Sequence, residues 1–529
     1  MPPEPAVTLL LNARFHAVDE AFSVFGAMAF AGGRILALGS EDELRGRFPF
    51  AARIDGGGAF AYPGLMDPHC HFLNYGYMLQ RADLFDTASW EETVGRLVVY
   101  RDRRGGAGGR GWILGRGWDQ NRWPGRAFPD RELLDWAFPD RPVLATRVDG
   151  HAGIANSKAL ALAGIDESTR VEGGECVKRE GRLTGLLVDN ALDLVKAAIP
   201  PVDAATKREA FLLAQGGCLA VGLTSVSDAG TQLPEALAMM EAQDSGELGI
   251  RIYGMLRPTP ENVETFISKG PLLRERLTFR SIKMFADGAL GSRGSFLLEP
   301  YADDPGNRGL RCESDEEIDR ACALAARHGY QMNVHCIGDG ALRAVLDVYA
   351  RHLKPGNGLR WRIEHAQVVD PADLPRFREL GVVPSIQAAH ATSDMSWAGG
   401  RLGPRIRRAY DYRSLLGQLG WLANGSDFPI EKVNPIFGFH AAVARVDAEG
   451  RPEGGFQPEG GLTRVEALRA MTCWAARANF EEDSRGSLEP GKFADFVLLD
   501  RDLMAAPAED LRGARVLGTW LGGEAAFAR

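Results

Sequence analysis

Two histidines one residue apart, His69 and His71, close the apolar segment Ala61-Tyr-Pro-Gly-Leu-Met-Asp-Pro-His-Cys-His71. Side chains at i and i+2 of a strand share a face. Two imidazoles at a strand end can therefore grip one metal ion, and neutral imidazole is the commonest metal ligand. Taken alone, the pair also reads as two core or surface histidines. Four further groups that suit metal or proton chemistry follow along the chain, each at the end of a short apolar run or just past it. They are Lys283 in Ser281-Ile-Lys-Met-Phe-Ala-Asp-Gly288, His335 in Asn333-Val-His-Cys-Ile-Gly-Asp339, His365 in Arg362-Ile-Glu-His365 and Asp427 in Asn424-Gly-Ser-Asp-Phe-Pro429.

The apolar runs that carry these groups predict short strands. The candidates are Tyr62–Met66, Leu223–Val226, Gly249–Met255, Arg280–Phe285, Met332–Val334, Trp361–Ile363, Val382–Ile386 and Trp421–Ala423. Most links between them carry helical periodicity, such as Asp315 to Arg327 and Arg464 to Ala478. Eight strand–helix units predict an α/β fold of the (β/α)8 TIM-barrel type. Such barrels place their chemistry at the C-terminal ends of the strands. His69 and His71 follow strand one, Lys283 ends strand four, and His335, His365 and Asp427 follow strands five, six and eight. Parity turns Cys70 and Cys336 to the opposite face, as packing residues. His16, His328, His352 and His440 fall in terminal or helical segments and read as structural or solvated.

The link from strand one to strand two is too long for a single helix. It has strand candidates of its own at Trp112-Ile-Leu and Pro142-Val-Leu-Ala, and a hairpin-like Gly173–Thr184. Residues 72–215 therefore read as an insertion, which after a barrel strand is expected over the active site. Trp112, Trp118, Trp123 and Trp136 lie inside it, either as its own core or as an apolar wall over a substrate. The chain's two ends read as β. Val7–Leu11, the runs around Gly32-Gly33, Ala494–Leu499 and the runs around Gly522-Gly523 predict strands and hairpins. Neither end closes a core alone, so residues 1–62 and 481–529 are expected to form a composite β-sandwich around a barrel at 63–480.

Pro63-Gly-Leu-Met-Asp-Pro-His-Cys-His, Lys283 to Arg293, Ile363-Glu-His365, Ser426-Asp-Phe-Pro and Gly486-Ser-Leu-Glu-Pro-Gly-Lys-Phe-Ala-Asp495 together resemble the amidohydrolase superfamily, and within it the amidohydrolase 3 subgroup. The resemblance runs nearly end to end. It implies a metal-dependent hydrolase with His69 and His71 on one ion, His335 and His365 on a second, and Lys283, carboxylated on its amine, bridging the two. Asp427 then binds metal and moves protons. Two divalent ions, most simply zinc, are expected per chain. An ammonium beside two cations would be repelled, whereas a carbamate is an anionic ligand able to span both. An outward Lys283 in a salt bridge is the alternative. A carboxylate kept ionised by a cation still accepts a proton from an attacking water and can pass it to a leaving amine. His151, in Val148-Asp-Gly-His-Ala-Gly-Ile-Ala-Asn-Ser-Lys, sits in a stretch similar to the subgroup's and is a candidate catalytic or substrate contact. Trp118 and Asp119 resemble the subgroup's pocket lining. Arg293 is expected either on a substrate carboxylate or paired with Asp287 or Glu299.

The implied activity is hydrolysis of a non-peptide carbon–nitrogen bond, in an amide, N-formyl, N-acyl or cyclic amide group, by attack of a metal-bridging hydroxide. An esterase or lactonase using the same site is the alternative, and a non-catalytic binding scaffold is the rival from another class. The resemblance also implies a small-molecule substrate, and composition bears on the other partners. The net charge of −9, with no basic stripe, argues against nucleic acid. No apolar run approaches the ~18 residues of a membrane span. The opening Met1-Pro-Pro-Glu-Pro lacks the basic and apolar regions of a secretory signal. Seven cysteines without a CxxC fit a reducing cytoplasm. A homo-oligomer is compatible with all of this.

Overall fold

The computed structural model describes residues 6–103, 111–147, 150, 152–171 and 174–529. Met1 to Pro5, the glycine-rich residues 104–110, His151 and Gly173 lie outside the described residues. The chain divides into two units, Met1–Tyr75 with Phe211–Arg529, and Gly76–Ala210.

In the first unit, eight strands follow one another in parallel register: Leu65–Cys70, Leu223–Thr231, Arg251–Leu256, Leu277–Phe285, Gln331–Cys336, Arg362–His365, Val383–Ile386 and Ala423–Asn424. They are referred to below as barrel strands one to eight. Residues just past strand eight bridge the remaining gap to strand one: the Asp427 amide donates to the His69 carbonyl at 2.8 Å, and the His71 amide to the Phe428 carbonyl at 2.7 Å. All eight expected strands are present, but the first is displaced. Tyr62 belongs to a preceding strand, Ala52–Pro63, and barrel strand one starts at Leu65. Gly64 separates them because a Cβ there would lie 2.2 Å from the Thr224 hydroxyl. His69 therefore stands within the strand and His71 one residue beyond it.

Between strands four and five, the helix Asp315–His328 is bounded by a Ser314/Glu317 capping box and by Gly329 in the left-handed conformation. The segment expected as one helix from Arg464 to Ala478 is two, Arg464–Ala470 and Cys473–Ala478, because Met471 and Thr472 leave helical backbone angles.

Strands from both termini share one eight-stranded sheet, including Thr8–His16, Ala27–Ala31, Arg34–Gly39, Ala52–Pro63, Phe496–Leu499 and Val516–Leu521. Period-two alternation gives it two apolar faces. Leu10, Phe15, Met28, Phe30 and Phe496 pack on one, and Leu9, Leu11 and Ala29 on the other beneath Leu44. The sheet curls until Ile35 donates to the Lys492 carbonyl and Ala494 to that of Gly33, each at 2.9 Å. Asp495, from the Gly486–Asp495 motif, ties it to the barrel through a buried ion pair with Arg251 at 2.7 Å.

The second unit is built on a six-stranded sheet whose members include Ile113–Trp118, Val143–Arg147, Ala152–Ala155 and Arg182–Asp189. Its core holds Leu84, Leu97, Trp118, Trp123, Leu134 and Ile154. Among the described residues, no helix is long and apolar enough to cross a membrane.

Candidate metal centre

Asp427 is the point on which the barrel's polar side chains converge. Its Oδ1 lies 3.2 Å from His71 Nε2 and 3.6 Å from His69 Nε2, and its Oδ2 lies 3.6 Å from His390 Nε2. His69 and His365 rings are 4.9 Å apart between centroids, and His335 and His365 rings 4.3 Å. Lys283 Nζ approaches His69 Nε2 at 3.4 Å. The structure thus gathers His69, His71, Lys283, His335, His365 and Asp427 at one end of the barrel. Among the described residues, two three-residue groups have ligand atoms close enough to share an ion, His69/His71/Asp427 and His365/His390/Asp427.

Local backbone makes this convergence possible. Within a strand, Lys283 and His335 reach inward by parity alone, as their buried neighbours Ser281 and Asn333 do. His365 and Asp427 instead take left-handed backbone angles, with φ of 72° and 62°. Such angles are uncommon outside glycine and concentrate at functional sites. Strict alternation would turn His365 away from the face of Glu364. The left-handed turn returns its ring to the cluster.

Outer partners hold the first ring. His69 Nδ1 meets the fully buried Glu364 carboxylate at 2.5 Å, which leaves Nε2 for the cluster. Asp67, two residues before His69, accepts from the His69 amide at 3.1 Å and from the Ser426 hydroxyl at 2.6 Å, so it braces the strand-one and strand-eight ends together. Asp287 accepts three backbone N–H bonds, from Phe296, Ile337 and Gly338, and braces the loops after strands four and five.

Burial sets the charges. It pulls the Lys283 ammonium down to about 8, against the opposing carboxylates of Glu364 and Asp427. Burial, and then the Lys283 charge, pushes His335 down to about 3. His365 falls well below the usual imidazole range through burial and the neighbouring His335. Burial works to raise Asp427, but His390, His71 and His69 outweigh it and hold the carboxyl well below the usual range. Burial also works to lower His390, yet Asp427 and Glu431 outweigh it and raise the ring to about 10.

Buried polar groups normally find a hydrogen-bond partner. Here, among the described residues, His335 Nε2, His365 Nδ1 and Asp427 Oδ1 have none. The neutral His335 and His365 imidazoles, the ionised Asp427 carboxylate and these unpartnered atoms suit a divalent cation.

A family profile described as "Amidohydrolase family" matches residues 52–527. The chain belongs to the amidohydrolase family. Its relatives include Protein LONG AFTER FAR-RED 3 of Arabidopsis thaliana, 32% identical over 98% of this chain and 91% of that protein. A putative amidohydrolase, YtcJ of Bacillus subtilis, is also 32% identical, over 94% of each chain. An N-substituted formamide deformylase of Arthrobacter pascens is 27% identical over 98% of each. Among solved structures, an uncharacterized metal-dependent hydrolase from Pyrococcus furiosus superposes with a TM-score of 0.79 at 29% identity, covering 94% of this chain and all of that one.

Three other expected site residues of this amidohydrolase, Trp118, Asp119 and Arg293, are engaged with partners of their own. Trp118 is fully buried, with its ring against Trp90, Trp123 and Phe128 and its N–H donating to the Ala145 carbonyl at 2.8 Å. Trp123 shares that core, Trp112 packs partly buried against a second one, and Trp136 is exposed. Asp119 pairs with Arg147 at 2.6 Å. Arg293 forks onto Asp303, at 3.2 and 3.0 Å, and not onto Asp287 or Glu299. His151 lies outside the described residues.

Sequence reasoning missed His390, Glu364, Glu431, Asp67 and Asp287 as members of the site. Parity could have found Asp67, which shares a face with His69 and His71. Glu364 follows from the same rule, two residues after the inward Arg362. His390 gives no such signal, since it lies on the helix Ala388–Asp394 beyond strand seven.

Proposed function

We propose that this amidohydrolase is a metal-dependent hydrolase of a small-molecule substrate and cleaves a non-peptide carbon–nitrogen bond, in an amide, N-formyl, N-acyl or cyclic amide group. The observation that carries this reading is the convergence of His69, His71 and His365 on Asp427, with His335 against His365 and buried atoms of the cluster left without hydrogen bonds among the described residues. The deformylase relative favours the carbon–nitrogen class. Under this reading His69, His71 and Asp427 hold one divalent ion, and His335 and His365 help hold a second, with zinc the natural choice. Lys283 joins them as a carbamate: burial favours its uncharged amine, which adds carbon dioxide and loses a proton to become an anionic ligand. Bound there, the ions supply Lewis acidity toward the substrate carbonyl and make water a better acid.

The chain's own groups then do the proton work. Asp427 Oδ1 makes no hydrogen bond among the described residues, so the lone pair it does not give to an ion accepts the proton of water as the water oxygen adds to the carbonyl carbon. The same oxygen returns that proton to the amine nitrogen as the carbon–nitrogen bond breaks. Glu364 keeps the His69 ring oriented throughout. The seven cysteines, all free, fit a cytoplasmic setting in which they stay thiols.

The test is a hydrolysis screen with metal-loaded protein over N-formyl and N-acyl amines, cyclic amides and matched esters. Amine release that disappears on chelation and returns with metal is expected. Turnover of esters and lactones alone would overturn the carbon–nitrogen assignment, and binding of no divalent ion would return the barrel to a non-catalytic scaffold.

A further inference from the structure

Two histidines at the barrel mouth are built alike. His69 rests Nδ1 on Glu364 and aims Nε2 at Asp427 Oδ1, 3.6 Å away. His390 rests Nδ1 on Glu431 Oε1 at 3.2 Å and aims Nε2 at Asp427 Oδ2, also 3.6 Å away. Glu431 is itself held by the Ser393 hydroxyl at 2.5 Å. A carboxylate on the far ring nitrogen is the outer partner that metal-binding histidines carry, because it fixes the tautomer and the ring plane.

The distances agree with a shared ion. A separation of 3.6 Å is too long for an N–H···O hydrogen bond. Two atoms each about 2.1 Å from a tetrahedral ion lie about 3.4 Å apart. The His390 ring also stacks toward that of His365, with centroids 6.0 Å apart and 26° between their planes, and among the described residues His365 Nδ1 lacks a hydrogen-bond partner. His390 and Asp427 are both largely enclosed, with side chains 12% and 9% exposed.

We propose that His390 is a metal ligand: it joins His365 on Asp427 Oδ2 at one ion, while His69 and His71 share Asp427 Oδ1 at the other. Asp427 then spans the two ions through its two oxygens, and Glu431 is a positioning residue acting through His390. The inference rests on the metal-dependent reading above. An ion on His390 Nε2 takes the place of any proton there, as metal binding to imidazole requires.

The experiment strips the full-length protein, titrates it with cobalt(II), and reads ions per chain by elemental analysis together with the visible absorption of bound cobalt. Wild type is compared with His390→Asn, Glu431→Gln and His71→Asn. His390→Asn is expected to hold one ion fewer than wild type at matched free cobalt. Glu431→Gln should keep the number of ions and bind one of them about 10–100-fold more weakly. His390→Asn with wild-type stoichiometry, affinity and spectrum overturns the assignment. If that variant does not fold, Glu431→Gln decides, and unchanged cobalt affinity overturns it equally. Wild type that binds no ion brings down the metal-dependent reading as a whole. Loss of an ion from His71→Asn but not from His390→Asn brings down only the role of His390.

Discussion

The barrel mouth and the core of the 76–210 unit are both rich in buried polar atoms, yet they treat them differently. In the 76–210 unit the Trp90 N–H alone of the core tryptophans goes unmet among the described residues, while the Trp118 N–H reaches the Ala145 carbonyl, Trp123 reaches that of Thr87, and Asn156 bonds to Phe138, Arg141, Val143 and Ala159. At the barrel mouth, His335, His365 and Asp427 together keep three buried atoms without a hydrogen bond among the described residues. An unmet buried polar atom costs about 1–3 kcal/mol. A fold keeps several in one place when something else is to bind there. Aromatic or ionisable character therefore separates the two regions less well than whether the polar ends are already spent.

The largest effect should come from the barrel. Lys283→Ala removes the amine buried beside His69 and is expected to lose bound metal and activity together. Formate or acetate with excess metal should restore part of both. Metal content that survives the substitution would show that Lys283 is not a ligand. The wild-type lysine also predicts a pH dependence. Carbamate formation needs the uncharged amine, whose pKa burial lowers to about 8. Reconstitution of stripped protein with metal and bicarbonate should rise as pH increases through about 8 and be poor well below it. A flat profile would break the link between burial and ligation.

Asp427→Asn comes next. It keeps the size of the side chain and removes the charge and the proton-accepting oxygen. General acid–base catalysis contributes roughly 10²–10⁴ in rate, so turnover should fall at least about a hundredfold. The thermal transition at saturating metal should stay in place. A variant that retains most of its turnover would move proton transfer to another residue.

Trp118→Ala should act in the other currency. Truncating a fully buried tryptophan costs about 3–5 kcal/mol, so the 76–210 unit should unfold earlier in a thermal scan while ions per chain stay constant. Loss of metal with unchanged melting would reverse the contrast between the two regions.

Arg293→Ala should do least. Its guanidinium is paired with Asp303, which also contacts Arg401. Melting and metal content are expected to stay unchanged. A KM rising only for carboxylate-bearing substrates would return Arg293 to substrate recognition.

Local pattern decided much of this protein. The eight barrel strands were legible because each is a short apolar run ended by polar or glycine residues. His69, Lys283 and His335 were legible because alternation fixes which face a strand residue uses. Tertiary structure decided what alternation cannot reach. His365 and Asp427 join the cluster through left-handed turns, which are uncommon outside glycine and which alternation does not foresee. His390 and Glu431 come from a helix and a loop past strands seven and eight, where no period links them to the residues they face. The tryptophans were ambiguous for a related reason: burial in a core and exposure in a pocket ask for the same apolar ring, and only the packed neighbours of Trp118 tell which one it serves. Side-chain type and spacing set which groups can do chemistry. Their meeting at Asp427 depends on barrel strands far apart in sequence arriving at the same end, and that is a property of the folded chain alone.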